Sequence, residues 1–273
     1  MNLIKAIMNN VSQIFAVAEK NFFLVSRYKI RMILSFITPI LGIILPIIVL
    51  GRILDFTNNF GPWDDGNFLV YQFTAYQLML LYQIIGRFQT SINQEKGINT
   101  ITLLIIAPFR RLNLLLGIFL SHLMLISIPF TIFFIWCFIL YPVSIITVFF
   151  IFIVYFLITL FFSGIGLFFG IIIISKPHLI ALFSIPLTVF LMFSCLSMPF
   201  EFFPEEFQNI ANLNPFYYIF SIVRYIWLED NIIISVTSHP FTFLVVLFFG
   251  ILTPLIGVKF FNYIFDKYGI TLL

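Results

Sequence analysis

Six stretches of this chain run for about twenty residues or more with almost no charge, and nothing else constrains its fold as tightly. They are roughly Met32–Leu54, Phe68–Ile85, Leu112–Leu140, Val143–Ile174, Leu179–Met198 and Phe241–Phe261. A helix needs about 20 apolar residues to cross about 30 Å of hydrocarbon, so each stretch is long enough to span a bilayer. Soluble domains are about 25% charged; this chain of 273 residues is 9% charged and 62% hydrophobic, which excludes a soluble domain. The expected fold is an all-α integral membrane protein with six transmembrane helices. Tyr141 and Pro142 alone separate the third and fourth stretches, which calls for a tight hairpin, and Pro39 and Pro46 should kink the first. Gly164, Gly166 and Gly170 on the fourth predict close packing against neighbouring helices.

Residues 1–31 read as a separate amphipathic, interfacial segment, with residues 32–273 forming the spanning domain. Val11, Ile14, Phe15, Ala18, Phe22 and Val25 recur at helical spacing, while Lys20, Arg27, Lys29 and Arg31 suit the headgroup layer. A helix packed on a soluble partner is the alternative. Met1–Asn10 lacks the sustained apolar core of a cleavable signal peptide, so none is expected there.

Basic residues mark the cytoplasmic side of a membrane protein. With the amino terminus inside, 12 of the 14 Lys and Arg lie on the inner side, leaving only Arg52 and Arg224 outside, whereas 8 of the 11 acids lie outside. Both termini are therefore expected in the cytoplasm. Trp63, Trp136 and Trp227 then fall at or beyond the outer interface.

Several functions find no support in the residues. No Gly-x4-Gly-Lys-Ser/Thr phosphate loop is present, so the chain has no visible nucleotide site of its own. Cys137 and Cys195 lie within apolar runs and read as buried hydrophobes; the three His show no metal-ligand spacing. His122 is the one ionisable side chain at membrane depth, and a hydrogen-bonded packing role suits it better than ion coupling.

The longest polar interruption on the basic side runs from Asn93 to Gly117. Glu95 and Lys96 open it, Gly97 frees the backbone to turn, and Asn99 or Thr100 can cap a short helix. Pro108 stops that helix, and Arg110 and Arg111 precede the next apolar run. The segment resembles the coupling region of type 2 ABC exporter permeases, through Glu95, Gly97, Thr100, Ile101, Leu104, Pro108, Arg110, Leu115, Leu116 and Gly117. Ile98 and Asn99 are inserted relative to that pattern, and Thr102 stands where the family often has a second Glu.

A second match lies before the last apolar run, in Pro199, Pro204, Leu213, Asn214, Pro215, Tyr218 and Arg224. Pro204-Glu205-Glu206 is a plausible helix start, and Asn214-Pro215 begins another. Arg224 is expected either to pair with Glu201, Glu205 or Glu206 or to stand solvated. The resemblance implies a cytoplasmic coupling helix over about Thr100–Ala107 and short outer helices that re-enter the membrane. It further implies an exporter permease in the plasma membrane, closest to the drug- and lipid-exporting branch, with no catalytic activity of its own. Its partners would be two ABC ATPase subunits, which bind the ATP and Mg, a second permease chain and membrane lipid, with no nucleic acid. A non-transporting assembly protein and an ion-coupled secondary transporter stay open as alternatives.

Overall fold

The computed structural model describes residues 2–53, 62–63, 67–97, 110–175 and 179–268, and these contain helices and no β-strand. Helix α1 spans Asn2–Ser26, α2 Lys29–Ile53, α3 Phe68–Tyr82 and α4 Ile84–Gly97. Beyond the loop come α5 (Arg111–Leu140), α6 (Ile145–Ser175) and α7 (Leu179–Met192). A 3-10 turn at Phe200–Phe202 leads to α8 (Glu205–Asn212), α9 (Pro215–Glu229), α10 (Ile232–Ser238) and α11 (Pro240–Tyr268).

Four of these segments are long and apolar enough to cross a membrane: Phe68–Glu95, Arg111–Leu140, Ile145–Ile172 and Pro240–Ile264. The first is α3 and α4 running on through Gln83, so the helical path continues well past Ile85 into the polar residues up to Gly97. Two shorter apolar stretches, Met32–Ile48 and Leu179–Met192, correspond to the first and fifth expected spans. The fifth is cut short. Helix α7 stops at Met192, and Cys195 takes a left-handed backbone conformation with φ of 54°, uncommon for a residue with a side chain.

The core lies where α6 packs on α4 and α11. A Cβ on Gly166 would lie 3.0 Å from the Ile85 Cα, and one on Gly170 would lie 2.5 Å from Ile92, so these glycines seat α4. On the other side, a Cβ on Gly164 would fall 2.4 Å from the Thr253 carbonyl carbon in α11. Thr253 completes that seam by donating its hydroxyl to Phe161 O at 3.2 Å. Small residues thus let three backbones approach closely, which maximises van der Waals contact where no hydrophobic drive separates helix from lipid.

Buried aromatics extend this core. Phe161 and Phe162 on α6 meet Phe216 and Phe220 on α9, which places α9 inside the bundle against α3, α6 and α11. Trp227 is fully buried and donates its indole N–H to Tyr141 O at 3.2 Å, and Trp63 is also buried, so only Trp136 has the exposed setting expected of an interfacial ring. The tight α5–α6 hairpin is clamped from the same helix end, where Asp230 Oδ1 accepts from Ser144 N at 2.7 Å.

Candidate functional site: the inner loop and the outer cap

The first site is built by α1, α4 and α5 at the two ends of the segment 98–109. Thr100, Leu104 and Pro108, and with them the expected helix over Thr100–Ala107, lie outside the described residues. The two ends of the segment are described. Gly97 is the last residue of α4 and is exposed. Arg110 has extended backbone, caps α5 and is exposed, its carbonyl accepting from Asn113 N at 2.8 Å. Arg111 opens α5 and is half-buried. The side chain of Lys96 is outside the described set.

Both ends are tied to α1. Lys20 forms an ion pair with Glu95, and Glu95 is turned inward, only 6% exposed, rather than projecting toward a partner. On the other side of the loop, Asn113 Nδ2 donates to Gln13 Oε1 at 2.6 Å and to Asn10 Oδ1 at 3.2 Å. Gly117 allows this approach: a Cβ there would lie 2.5 Å from Val17. Helix α1 therefore lies along the inner part of α5, with Ala18 and Asn21 buried, while Val11, Phe15 and Phe23 remain exposed on its other face. That exposed stripe retains the amphipathic character read from the sequence, and the packed stripe was not anticipated. Asn113 beside Gly117 was the available signal, a polar side chain and a missing one on the same face of an apolar helix.

The outer cap gathers the second set of residues. Pro199 precedes the 3-10 turn and Pro204 caps α8, whose first turn carries Glu205 and Glu206 at the positive end of the helix. Asn214 caps α9, its side chain accepting from Phe216 N at 3.0 Å and donating to Phe190 O at 2.6 Å, with Pro215 in the first turn. These side chains fix the angle between α7, α8 and α9.

Arg224 departs from both expectations. It is neither solvated nor bonded to Glu201, Glu205 or Glu206, but 3% exposed, with Nη1 donating to Cys195 O at 2.9 Å and Nη2 to Leu196 O. The guanidinium carbon lies 3.5 Å from the centre of the Tyr71 ring, and the Tyr71 hydroxyl also donates to Cys195 O. Gln72 adds a bond to Ser197 O at 2.9 Å. Three consecutive carbonyls exposed by the end of α7 are thus satisfied by α3 and α9, which explains why the helix can break there at acceptable cost. Glu201 lines the same small cavity beside Trp63, Tyr71 and Arg224. Burial pushes its carboxyl above the ordinary carboxylate range, against the opposing effects of its own backbone N–H and of Arg224.

His122 is fully buried on α5, with Nε2 at 3.2 Å from Leu80 O, a helix-to-helix packing contact. Among the described residues, no three His, Cys, Asp or Glu side chains are grouped to hold a metal ion.

A bundle of long apolar helices, with a buttressed inner loop and a helical cap threaded back into its core, is that of a multi-pass membrane protein. A family model described as ABC-2 type transporter matches residues 12–228, well over half of the chain. The chain belongs to that family and is a type 2 ABC transporter permease, a membrane component. The match covers the loop and the outer cap and ends before α11. No curated protein matches the chain.

Proposed function

We propose that this chain is the membrane half of an exporter, moving an amphiphilic or hydrophobic substrate outward with ATP hydrolysed by separate ATPase subunits. Two permease chains and two ATPases would form the working unit in the plasma membrane, the ATP and Mg sitting in the ATPases. In this reading α2 and α7 complete six spans, with both termini in the cytoplasm. The 12-to-2 distribution of basic residues supports that orientation.

The observation that carries the proposal is the attachment of α1 to both ends of the inner loop. The loop joins α4 to α5 directly, and α1 grips both feet, through Lys20–Glu95 and through Asn10 and Gln13 on Asn113. A push on Thr100–Ala107 would therefore move α1, α4 and α5 as one body. Leu104 and Arg111 would meet the ATPase, while Glu95 would act by holding α1.

Leu104→Ala and Arg111→Glu should then lower substrate-stimulated ATP hydrolysis at matched membrane expression. Glu95→Lys should do so as well, and the double reversal with Lys20→Glu should restore most of the loss by rebuilding the pair. Lys20 is half exposed, so the pair itself contributes only about 0–1 kcal/mol of stability, and its loss should show in coupling rather than in folding. Unaltered hydrolysis in Leu104→Ala, Arg111→Glu and Glu95→Lys alike would reduce the loop to a connector.

A further inference from the structure

Arg224 spends only part of its guanidinium on the carbonyls of Cys195 and Leu196. Its Nε–H is buried without a hydrogen-bond partner, and so is Glu201 Oε2 on the 3-10 turn. The two residues line the same small cavity, together with Trp63, Tyr71, Ser221 and Tyr225. One atom is a donor and the other an acceptor, yet no hydrogen bond joins them directly. A buried polar atom left unpaired is costly, so both call for a partner inside that cavity.

Size and charge decide what can enter. The cavity measures about 10 Å3, close to the smallest that holds a single water molecule. A water both donates and accepts, and can therefore serve an N–H and a carboxyl oxygen at once. A cation there would be repelled by the Arg224 guanidinium, and an anion by the Glu201 carboxylate. A neutral molecule meets neither obstacle. A buried water makes about three hydrogen bonds, and the hydroxyl-bearing Ser221 and Tyr225 on the same wall offer the third.

Such a bridge would tie two segments together. Glu201 lies within Phe200–Phe202, and the Phe200 ring packs on Tyr217 of α9 with centroids 5.1 Å apart. Arg224, on the same helix, already holds the chain at Cys195 and Leu196. Through its Nε it would also hold the turn that follows, so one arginine would organise both the break after α7 and the approach to α8.

We propose that one structural water accepts from Arg224 Nε–H, donates to Glu201 Oε2 and so locks the Phe200–Phe202 turn onto α9. The bridge forms within a single chain and needs neither a substrate nor an ATPase, so it stands apart from the exporter reading.

The test is a crystal structure of the full chain grown in sodium bromide, at a resolution that shows ordered water. One peak without anomalous signal should lie within hydrogen-bond reach of both Arg224 Nε and Glu201 Oε2. An anomalous peak would identify a halide site, and a direct Arg224–Glu201 contact would identify a plain ion pair. Either result overturns the proposal, as does the absence of any peak. Unfolding midpoints of variants give a second measurement. Ser221→Val fills the cavity and should lower the midpoint of the otherwise wild-type protein by expelling the water. In a Glu201→Leu background, where the acceptor is already gone, the same substitution should cost far less. Equal losses in both backgrounds would reduce the effect to overpacking and overturn the proposal. So would a raised midpoint in Ser221→Val, the result expected from filling a dry cavity.

Discussion

Arg224→Ala should destabilise the detergent-purified protein by on the order of 3 kcal/mol, seen as a lower thermal unfolding midpoint. The reasoning starts from the end of α7. Cys195 and Leu196 present carbonyls to a buried setting, and Arg224 supplies a charged donor to each. Hydrogen bonds to charged groups contribute about 1.5–3 kcal/mol apiece, and removing the donor leaves Leu196 O unpaired and Cys195 O with Tyr71 alone, in a place water reaches poorly. The Tyr71 ring would lose its cation contact as well. Arg224→Lys should recover only part of the loss, because one ammonium cannot reproduce a planar fork lying over a ring and reaching two carbonyls. Tyr71→Phe should cost less, since it removes only one of the bonds to Cys195 O and keeps the ring. An unfolding midpoint unchanged in Arg224→Ala would show that the break after α7 is held by other means.

Gly164→Leu should be the most damaging of the glycine substitutions. Even the first added carbon would lie 2.4 Å from the Thr253 carbonyl carbon and 2.6 Å from the Pro254 nitrogen. Both are backbone atoms, which cannot rotate aside as a side chain can. Gly257 faces the same spot from α11, where an added Cβ would lie 2.9 Å from Gly164 O. The two helices would have to separate along the seam that joins α11 to the core. Overpacking a close-fitted interior costs about 1–3 kcal/mol and sometimes more, and a contact against backbone belongs at the upper end. Gly86→Ala is the matched control: nothing lies within 4 Å of its added carbon, so folding should be unaffected or slightly improved. Size-exclusion profiles and unfolding midpoints of the two variants decide it. Equal behaviour would mean that α6 and α11 do not approach as closely as described.

The apolar runs were legible where a helix is apolar throughout. Leu112–Leu140 became Arg111–Leu140, and Val143–Ile174 became Ile145–Ser175, because each is apolar almost throughout, and the helix carries Pro129 in the first and Gly164, Gly166 and Gly170 in the second without breaking. The second run was read short because its continuation is polar. Inside the bundle that continuation is held by another helix, Glu95 pairing with Lys20 of α1; within the run itself, Gln83 donates to Ser35 O at 2.8 Å and Tyr155 donates to Gln77 Oε1. The fifth was read long because its break depends on partners far away in sequence, Tyr71, Gln72 and Arg224, which no local pattern reveals.

The site divides in the same way. Pro204, Asn214 and Pro215 act through local backbone geometry, and their spacing alone indicates caps. Arg224 and Glu95 act through long-range contacts, and sequence neighbours gave the wrong partners for the first and no partner for the second. Charge on a loop suggests an exposed contact, yet Glu95 faces Lys20, 75 residues away.

Under the proposed function, this chain transmits work done by a separate ATPase. Affinity purification of the tagged chain from mild-detergent extracts of its native membranes tests it most directly, with mass spectrometry of the bound chains and assay of Mg-ATP hydrolysis. Two copies of an ABC ATPase should accompany every two permease chains, and hydrolysis should fall when Leu104 is replaced by alanine. Recovery of the chain at full yield with neither an ABC ATPase nor ATP hydrolysis would contradict it.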